Sequence, residues 1–394
     1  MFISEYKYPL ASNTISTGEI DALREWLGTY PKLTKDKLTL EFEEKWAEFI
    51  GVKHAVLCNS GSSANLLMYS VLKETLRTTR RPKVVVPAIS WATTVAPALQ
   101  LGFEIHLCDA ETDTWGLDPD MLQFILSTNP IDAVMVVNTM GIPAKLHAIR
   151  ELCQQHGCAL LEDSCPSSFS ELDGQKLGSF GDMASTSGYA GHPFSVIEAG
   201  IVTTDSYDYY NMLLMMRSHG WTKDLSDQAS QRLHAKHSPM RFNEIFTFYV
   251  PGYNLRSTEI QAFLGLSEMD KIPDMSLARE TAYERYTERF MELPDFDIQT
   301  PLPGSRVVPI SFGVLAPSIR LRDHIGFSLK NYGIETRPWG SIGRQPFWTE
   351  RFGKVSLPQA DKIHTRSFLL PVHQDMSTSD VDFIVDAVKE IAGV

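Results

Sequence analysis

Residues 54–75 read His54-Ala55-Val56-Leu57-Cys58-Asn59-Ser60-Gly61-Ser62-Ser63-Ala64-Asn65-Leu66-Leu67-Met68-Tyr69-Ser70-Val71-Leu72-Lys73-Glu74-Thr75. A short apolar run ends in a turn of small polar residues, and the turn opens at once into apolar residues at helical spacing. The same alternation continues to about residue 205. Strands are expected at His54–Cys58, Lys83–Pro87, Glu104–Cys108, Asp132–Asn138, Ala159–Glu162 and Ile201–Thr204. Helical patterns occupy Ser63–Leu76, Leu117–Leu126 and Leu146–His156. Such alternation specifies an α/β fold with a mostly parallel central sheet and helices on its faces. Ligands on these sheets collect at the carboxyl ends of the strands.

Outward from this block the pattern changes. Residues 220–250 are irregular and rich in charge and histidine, and read as a long surface excursion. Helices follow at Thr258–Asp270 and Ser276–Glu292, then a strand at Val307–Val314 and helices at Ile319–Tyr332 and Ser379–Ile391. At 394 residues the chain is long enough for two domains. The expected division is a large domain over 1–250 and a smaller C-terminal α+β domain over 251–394.

A formal net charge of −12 argues against an electrostatic nucleic-acid binder. No apolar run reaches the roughly 18 residues that span a bilayer, and the first residues lack a signal-peptide core. A cytoplasmic location with no membrane partner is expected. The five cysteines, Cys58, Cys108, Cys153, Cys158 and Cys165, match no zinc or redox spacing and read as buried reduced thiols. No metal site is expected.

Four segments carry candidate chemistry. The turn at Gly61, Ser62 and Ser63 can bring backbone N–H groups to a phosphate at a helix N-terminus, although many such turns are small for steric reasons alone. Trp91, in Val86-Pro87-Ala88-Ile89-Ser90-Trp91, can offer a flat face to an aromatic ligand or serve as a core anchor. Leu160-Leu161-Glu162-Asp163 puts a carboxylate at the sheet's carboxyl edge, where it can hold a pyridinium nitrogen protonated or cap the next turn. Finally, Ser187-Gly188-Tyr189-Ala190-Gly191-His192-Pro193 sets a histidine between glycine-containing turns.

In this order, together with Gly252-Tyr253-Asn254-Leu255-Arg256-Ser257-Thr258-Glu259, these segments resemble the DegT/DnrJ/EryC1/StrS family of nucleotide-sugar enzymes along nearly the whole chain. The resemblance implies a fold-type I pyridoxal-phosphate-dependent transferase fold whose large domain binds pyridoxal 5′-phosphate or pyridoxamine 5′-phosphate. It implies that Asp163 pairs with the ring nitrogen and that Trp91 stacks on the ring. Gly61, Ser62, Ser63 and Ser187 would hold the phosphate together with Asn254 of the neighbouring chain, in a homodimer with shared active sites. His219, Arg256 and Arg337 fall at substrate-side positions of the family.

The family's aminotransferases carry their cofactor-binding lysine five residues after the phosphate serine. Here that residue is His192, and no lysine lies between Lys176 and Lys223. Within the family a histidine at this place is similar to the 3-dehydratases of deoxysugar synthesis, most closely those acting on GDP-4-keto-6-deoxymannose. That likeness rests further on Tyr8-Pro9-Leu10-Ala11-Ser12 and His219-Gly220-Trp221-Thr222. It implies that His192 is the base in removal of the C3 hydroxyl from a nucleotide-linked 4-keto sugar, with glutamate restoring the amine form of the cofactor. A conventional sugar aminotransferase and a non-catalytic homologue that binds the cofactor or nucleotide sugar are the alternatives. Three residues depart from the dehydratase pattern: Pro166 where an acidic side chain is usual, Pro193 where a second histidine is usual, and Ala199 where glycine is usual. No cysteine follows Cys165, which counts against the iron–sulfur version of the reaction.

Overall fold

The computed structural model describes residues 5–76 and 78–394. Its main sheet begins with β1 (His54–Cys58), β2 (Lys83–Pro87), β3 (Glu104–Cys108), β4 (Ala133–Val137) and β5 (Ala159–Asp163). A short hairpin, β6 (Glu171–Leu172) and β7 (Gln175–Lys176), precedes β8 (Met183–Ser187) and β9 (Gly200–Thr204). The seven-stranded order is β1-β9-β8-β5-β4-β2-β3. From β8 across to β3 every pair is parallel. β9 runs against both of its neighbours. The strands β4, β8 and β9 are buried on both faces, as expected where helices cover both sides.

The two faces of the sheet are buried in different cores. Val84, Val86, Met135 and Leu161 face the helices Gly61–Thr75 and Ala92–Gln100. Val85, Val134, Val136 and Leu160 face Pro119–Thr128 and Leu146–His156. Period-two alternation thus serves two cores from one sheet.

The C-terminal third adds β10 (Asp297–Ile298), β11 (Ser305–Arg306), β12 (Ser311–Leu315) and β13 (Ser367–Pro371). β10, β12 and β13 form an antiparallel sheet. It packs on helices Ile272–Phe290, Ile319–Ser328 and Thr378–Ala392, with Tyr8 joining this core. Helix Glu259–Met269 packs elsewhere: Ala262 and Leu264 sit with Phe42, Trp46 and Leu57.

The surface excursion at 220–250 is more ordered than its composition implies. It holds a helix, Asp227–His237, and a 3-10 helix, Arg241–Phe246. The helix buries only Ala229 and depends on its ends: Ser226 caps its N-terminus and His234, Lys236 and His237 occupy its last turn. All five cysteines are free, four of them buried and Cys165 half-buried. Among the described residues no helix is long and apolar enough to cross a membrane, and no group of three His, Cys, Asp or Glu residues could hold a metal.

Candidate active site

The carboxyl ends of β5 and β8 are neighbours in the sheet, and helix Gly61–Thr75 starts against them. A Cβ at Gly61 would stand 2.7 Å from Ser187 Cβ and 3.0 Å from Cys165 Sγ, so this approach requires glycine. Behind it, a Cβ at Gly200 would stand 2.0 Å from the Ser60 carbonyl oxygen. Ser60 is extended and its hydroxyl accepts from the Ser63 amide at 3.1 Å. The first amides of the helix, at Gly61 and Ser62, have no intrahelical acceptor, and the helix dipole puts positive potential there. Ser62 Oγ donates to Thr93 Oγ1 at 2.9 Å. Ser63 is committed to the cap, its hydroxyl bonded to Ser60 Oγ.

Asp163 ends β5 and is buried. Its Oδ2 accepts from Asn65 Nδ2 at 2.9 Å and from Thr94 Oγ1 at 2.8 Å. Its Oδ1 accepts from the Cys165 amide at 3.2 Å. Asn65 is held in turn by Ser185, whose hydroxyl donates to Asn65 Oδ1 at 2.8 Å. The carboxylate is therefore fixed by neutral donors, and no cation is spent neutralising it. Sequence reasoning singled out Asp163 but not the three residues that hold it. Asn65 lies one helical turn past Gly61, on the same face, which is the spacing that points to it.

His192 lies in the irregular loop between β8 and β9. Its Nδ1 is 2.7 Å from the Cys165 carbonyl oxygen. A carbonyl can only accept, so Nδ1 carries the proton and Nε2 keeps its lone pair. Burial pushes the imidazole pKa below its usual 6.5. The Cys165 carbonyl and the Asp163 charge act upward, and the buried Arg279 guanidinium acts downward. His192 is thus neutral at pH 7, with an unprotonated nitrogen at a sheet edge that also carries Asp163. The backbone of Cys165 joins the two groups: its N–H binds Asp163 and its C=O binds His192. In the same loop Ile197 has φ +76°, a costly conformation for a β-branched residue.

Trp91 is the N-cap residue of helix Ala92–Gln100 and is 64% exposed, so it is no core anchor. One face stacks on Trp339, with ring centroids 6.1 Å apart and an interplanar angle of 18°. The segment carrying Trp339 is tied to the Trp91 loop by the Ile342 amide, which donates to the Ala88 carbonyl at 2.8 Å. Arg337 stands at the start of this segment, exposed and paired with Glu335 at 2.8 Å.

His219, Asn254 and Arg256 form a separate group. Arg256 Nε donates to Asn254 Oδ1 at 3.0 Å, and Arg256 Nη2 reaches His219 Nε2 at 3.4 Å. The carboxamide oxygen of Asn254 is thereby engaged, which leaves its NH2 end to donate. Leu255 anchors the group by accepting from the Asn59 amide at 3.0 Å, beside the Ser60–Gly61 turn. A few residues on, Glu259 turns inward: it accepts from the amides of Asp36, Leu38 and Thr39 at 2.7–3.0 Å. It caps helix Lys37–Ile50, a structural duty that the motif did not reveal.

The chain is 31% identical over 333 residues to the GDP-4-keto-6-deoxy-D-mannose 3-dehydratase of Escherichia coli O55:H7, covering 84% of this chain and 85% of that one. A crystal structure of GDP-4-keto-6-deoxymannose-3-dehydratase with bound GDP-perosamine superposes with a TM-score of 0.89 at 27% identity, covering 97% of this chain and all of the other. A second structure of that enzyme, with a trapped pyridoxal-phosphate–glutamate geminal diamine, gives a TM-score of 0.88 at 27% identity and covers 97% of this chain and all of the other. The family profile itself matches from residue 13 to residue 389, and the chain belongs to the DegT/DnrJ/EryC1/StrS aminotransferase family.

Proposed function

We propose that this chain is a 3-dehydratase of a nucleotide-linked 4-keto-6-deoxyhexose, with GDP-4-keto-6-deoxymannose as its substrate and glutamate as its amino donor. The observation that carries the reading is His192. It takes the place of a reactive lysine, its Nδ1 is tied to a carbonyl, and its Nε2 is free to accept a proton.

The residues present fit pyridoxamine 5′-phosphate. The glycine-only approach at Gly61 and the open helix N-terminus suit a phosphate, with Ser62 and Ser187 as hydroxyl donors. Trp91 offers an exposed aromatic face, and Asp163 is a buried, immobilised carboxylate suited to a protonated ring nitrogen. When bound, the cofactor supplies an amine that condenses with the sugar ketone and a ring that accepts an electron pair. Asp163 would hold the ring nitrogen in its protonated form. With the cofactor bound, His192 Nε2 would accept a proton released from it and, as imidazolium, would return that proton to the hydroxyl leaving the sugar's C3 as water. A lysine would instead capture the cofactor covalently and hold it for transamination.

Asn254, His219 and Arg256 are assigned in this reading to the active site of a second copy, with the Asn254 NH2 end on that copy's cofactor phosphate and Arg337 on the substrate side. Exposed apolar residues support a second copy: Met240, Phe242, Ile245, Phe246 and Phe248 stand together on the 3-10 segment and its continuation. Five exposed large apolar side chains so close along the chain suit an interaction face. Mixing an inactive Asn254→Ala chain with an inactive His192→Ala chain is expected to restore part of the activity, because one hybrid site is intact. Exchange of subunits with no restored activity rejects the sharing.

The activity itself is tested by incubating the protein with pyridoxamine phosphate, glutamate and a panel of GDP-, CDP-, UDP- and dTDP-linked 4-keto-6-deoxy sugars. Loss of the C3 oxygen, read by mass, is expected with the GDP sugar. An amino sugar as product identifies an aminotransferase, and no change in any sugar identifies a binding protein.

A further inference from the structure

Trp91 is the link between two attachments of its loop. Towards the site, Thr93 Oγ1 accepts from Ser62 Oγ at 2.9 Å and the Thr93 carbonyl accepts from Asn65 Nδ2 at 3.3 Å. Thr94 Oγ1 donates to Asp163 Oδ2 at 2.8 Å. In the other direction Ile89 is bridged to Ser341, and the Ile342 amide donates to the Ala88 carbonyl. The indole between these attachments stacks on Trp339 yet stays 64% exposed, so its opposite face is open. Trp339 is far better held. One buried hydroxyl, that of Ser367, accepts from the Trp339 amide at 3.1 Å and donates to its carbonyl at 2.9 Å. The Trp339 side chain packs with Leu10, Met140 and Leu369 and also against the core of the main sheet. Its N–H is buried with no hydrogen-bond partner among the described residues. Phenylalanine or leucine would fill such a place without that cost. Filling the core does not by itself call for an indole here.

Resting on the reading of Trp91 as the surface on which the cofactor ring stacks, we propose that Trp339 is a positioning residue. It backs Trp91 and holds the indole plane in the orientation that the ring meets. An exposed indole at a helix N-cap has several rotamers open to it, and ordering such a side chain on binding costs affinity. A fixed aromatic neighbour removes much of that cost in advance. Rings 6.1 Å apart at 18° form an offset stack, a favoured arrangement for aromatic pairs. The support reaches back to β13, through Ser367 on Trp339 and through the Leu369 amide, which donates to the Arg337 carbonyl at 2.9 Å. The C-terminal sheet thereby sets where the stacking plane stands. Two other accounts compete with this one. The two indoles can be neighbours with independent roles, or Trp339 can occupy the place of the ring and have to yield to it. The three accounts differ in what loss of Trp339 does to cofactor binding.

The test combines far-ultraviolet circular dichroism of the full-length protein without cofactor and equilibrium dialysis against pyridoxamine phosphate. Stacked indoles couple their transitions, so the wild type is expected to show an exciton couplet that Trp91→Leu and Trp339→Leu each abolish. Trp339→Leu should bind pyridoxamine phosphate roughly 2–10-fold more weakly, the cost of ordering one freed side chain. Trp339→Phe keeps a ring behind Trp91 and should bind within about twofold of the wild type. In a Trp91→Leu background the Trp339→Leu change should cost nothing further, since its route to the cofactor is gone. Trp91→Leu removes an exposed side chain, so it decides the pairing even where Trp339→Leu does not fold. A wild type without the couplet, or a couplet that survives Trp91→Leu, overturns the proposal. Unchanged or tighter binding by Trp339→Leu overturns it as well, tighter binding marking a residue that must yield to the ring. An equal loss with and without Trp91 makes Trp339 structural and also overturns it. The expected pattern in a protein that removes no oxygen from any sugar rejects the dehydratase reading and leaves the assignment at Trp339 standing.

Discussion

Replacing His192 by asparagine is expected to lower both half-reactions, water loss from the sugar and amine transfer from glutamate, by about 10²–10⁴-fold, the usual loss for a positioned general base. Asparagine can still donate to the Cys165 carbonyl, so the loop keeps its anchor and cofactor affinity should change little. What disappears is a nitrogen that can take up a proton near neutrality. Pro193 and Gly191 flank it, and neither side chain can substitute. In the wild type the limb of the pH profile belonging to this base lies below 6.5, because burial favours the neutral ring. Activity thus falls only as the medium becomes acidic enough to protonate Nε2, and in the asparagine variant that limb should be absent. The lysine variant gives the complement. Borohydride treatment of the wild-type cofactor complex should leave the protein mass unchanged, whereas His192→Lys should gain the mass of the reduced cofactor. Near-normal turnover in His192→Asn makes the histidine structural and removes the basis of the dehydratase assignment.

Replacing Glu259 by alanine should produce the largest loss of stability at any single position in the Gly252–Glu259 motif, roughly 3–5 kcal/mol. The carboxylate is buried and receives three backbone amides and the Thr39 hydroxyl. Removing it strands those donors at the start of helix Lys37–Ile50, where the helix dipole also favours a negative group. Glu259→Gln keeps one acceptor oxygen and should lose about half as much. Urea unfolding followed by circular dichroism reads both. A change below about 1 kcal/mol for Glu259→Ala shows that the helix start is satisfied by other means. Because Asn254 and Arg256 lie just upstream, the alanine variant should also weaken any contact they make with a second copy.

The sequence disclosed the parts of the fold that follow from apolar periodicity. β1 through β5 and β9 were expected within a residue of where they lie, since each is a short stretch of apolar and β-branched residues bounded by turn residues, β3 alone alternating Glu104-Ile105-His106-Leu107. β8 was not expected, although it stands in the middle of the sheet. Its residues, Met183-Ala184-Ser185-Thr186-Ser187, carry three hydroxyls and present no apolar stripe. They are buried because polar partners are waiting, Asn65 for the Ser185 hydroxyl among them. Helix Asp227–His237 was missed for a related reason: with one buried residue it has no apolar face to detect. At the site, Asp163, Ser187 and His192 were visible as residue types in an ordered set of motifs. The acceptor that fixes the histidine was not, because a backbone carbonyl leaves no mark in the letter that names its residue.

The position of β1 at one edge of the sheet bears on how the chain is made. Among the described residues the only named strand beside β1 is β9, with one further bridge from Cys58 to Arg256, and helix Lys37–Ile50 waits for Glu259 to close its first turn. At ordinary translation speeds of about 5–20 residues per second, β9 leaves the ribosome roughly 7–30 s after β1. Throughout that interval the backbone of Ala55–Cys58 lacks its neighbouring strand, and only the side chains find native partners, Leu57 against Phe42 and Trp46 and the helix after β1 against Val84, Val86 and Val95. Pairings this distant along the chain are also slow to close once both halves exist. The nascent chain therefore spends its longest vulnerable period with the Ser60–Gly61 turn hanging from a strand that has no sheet neighbour. Slower growth at low temperature, or a chaperone that shields short apolar strands, acts on this step before any question of catalysis arises.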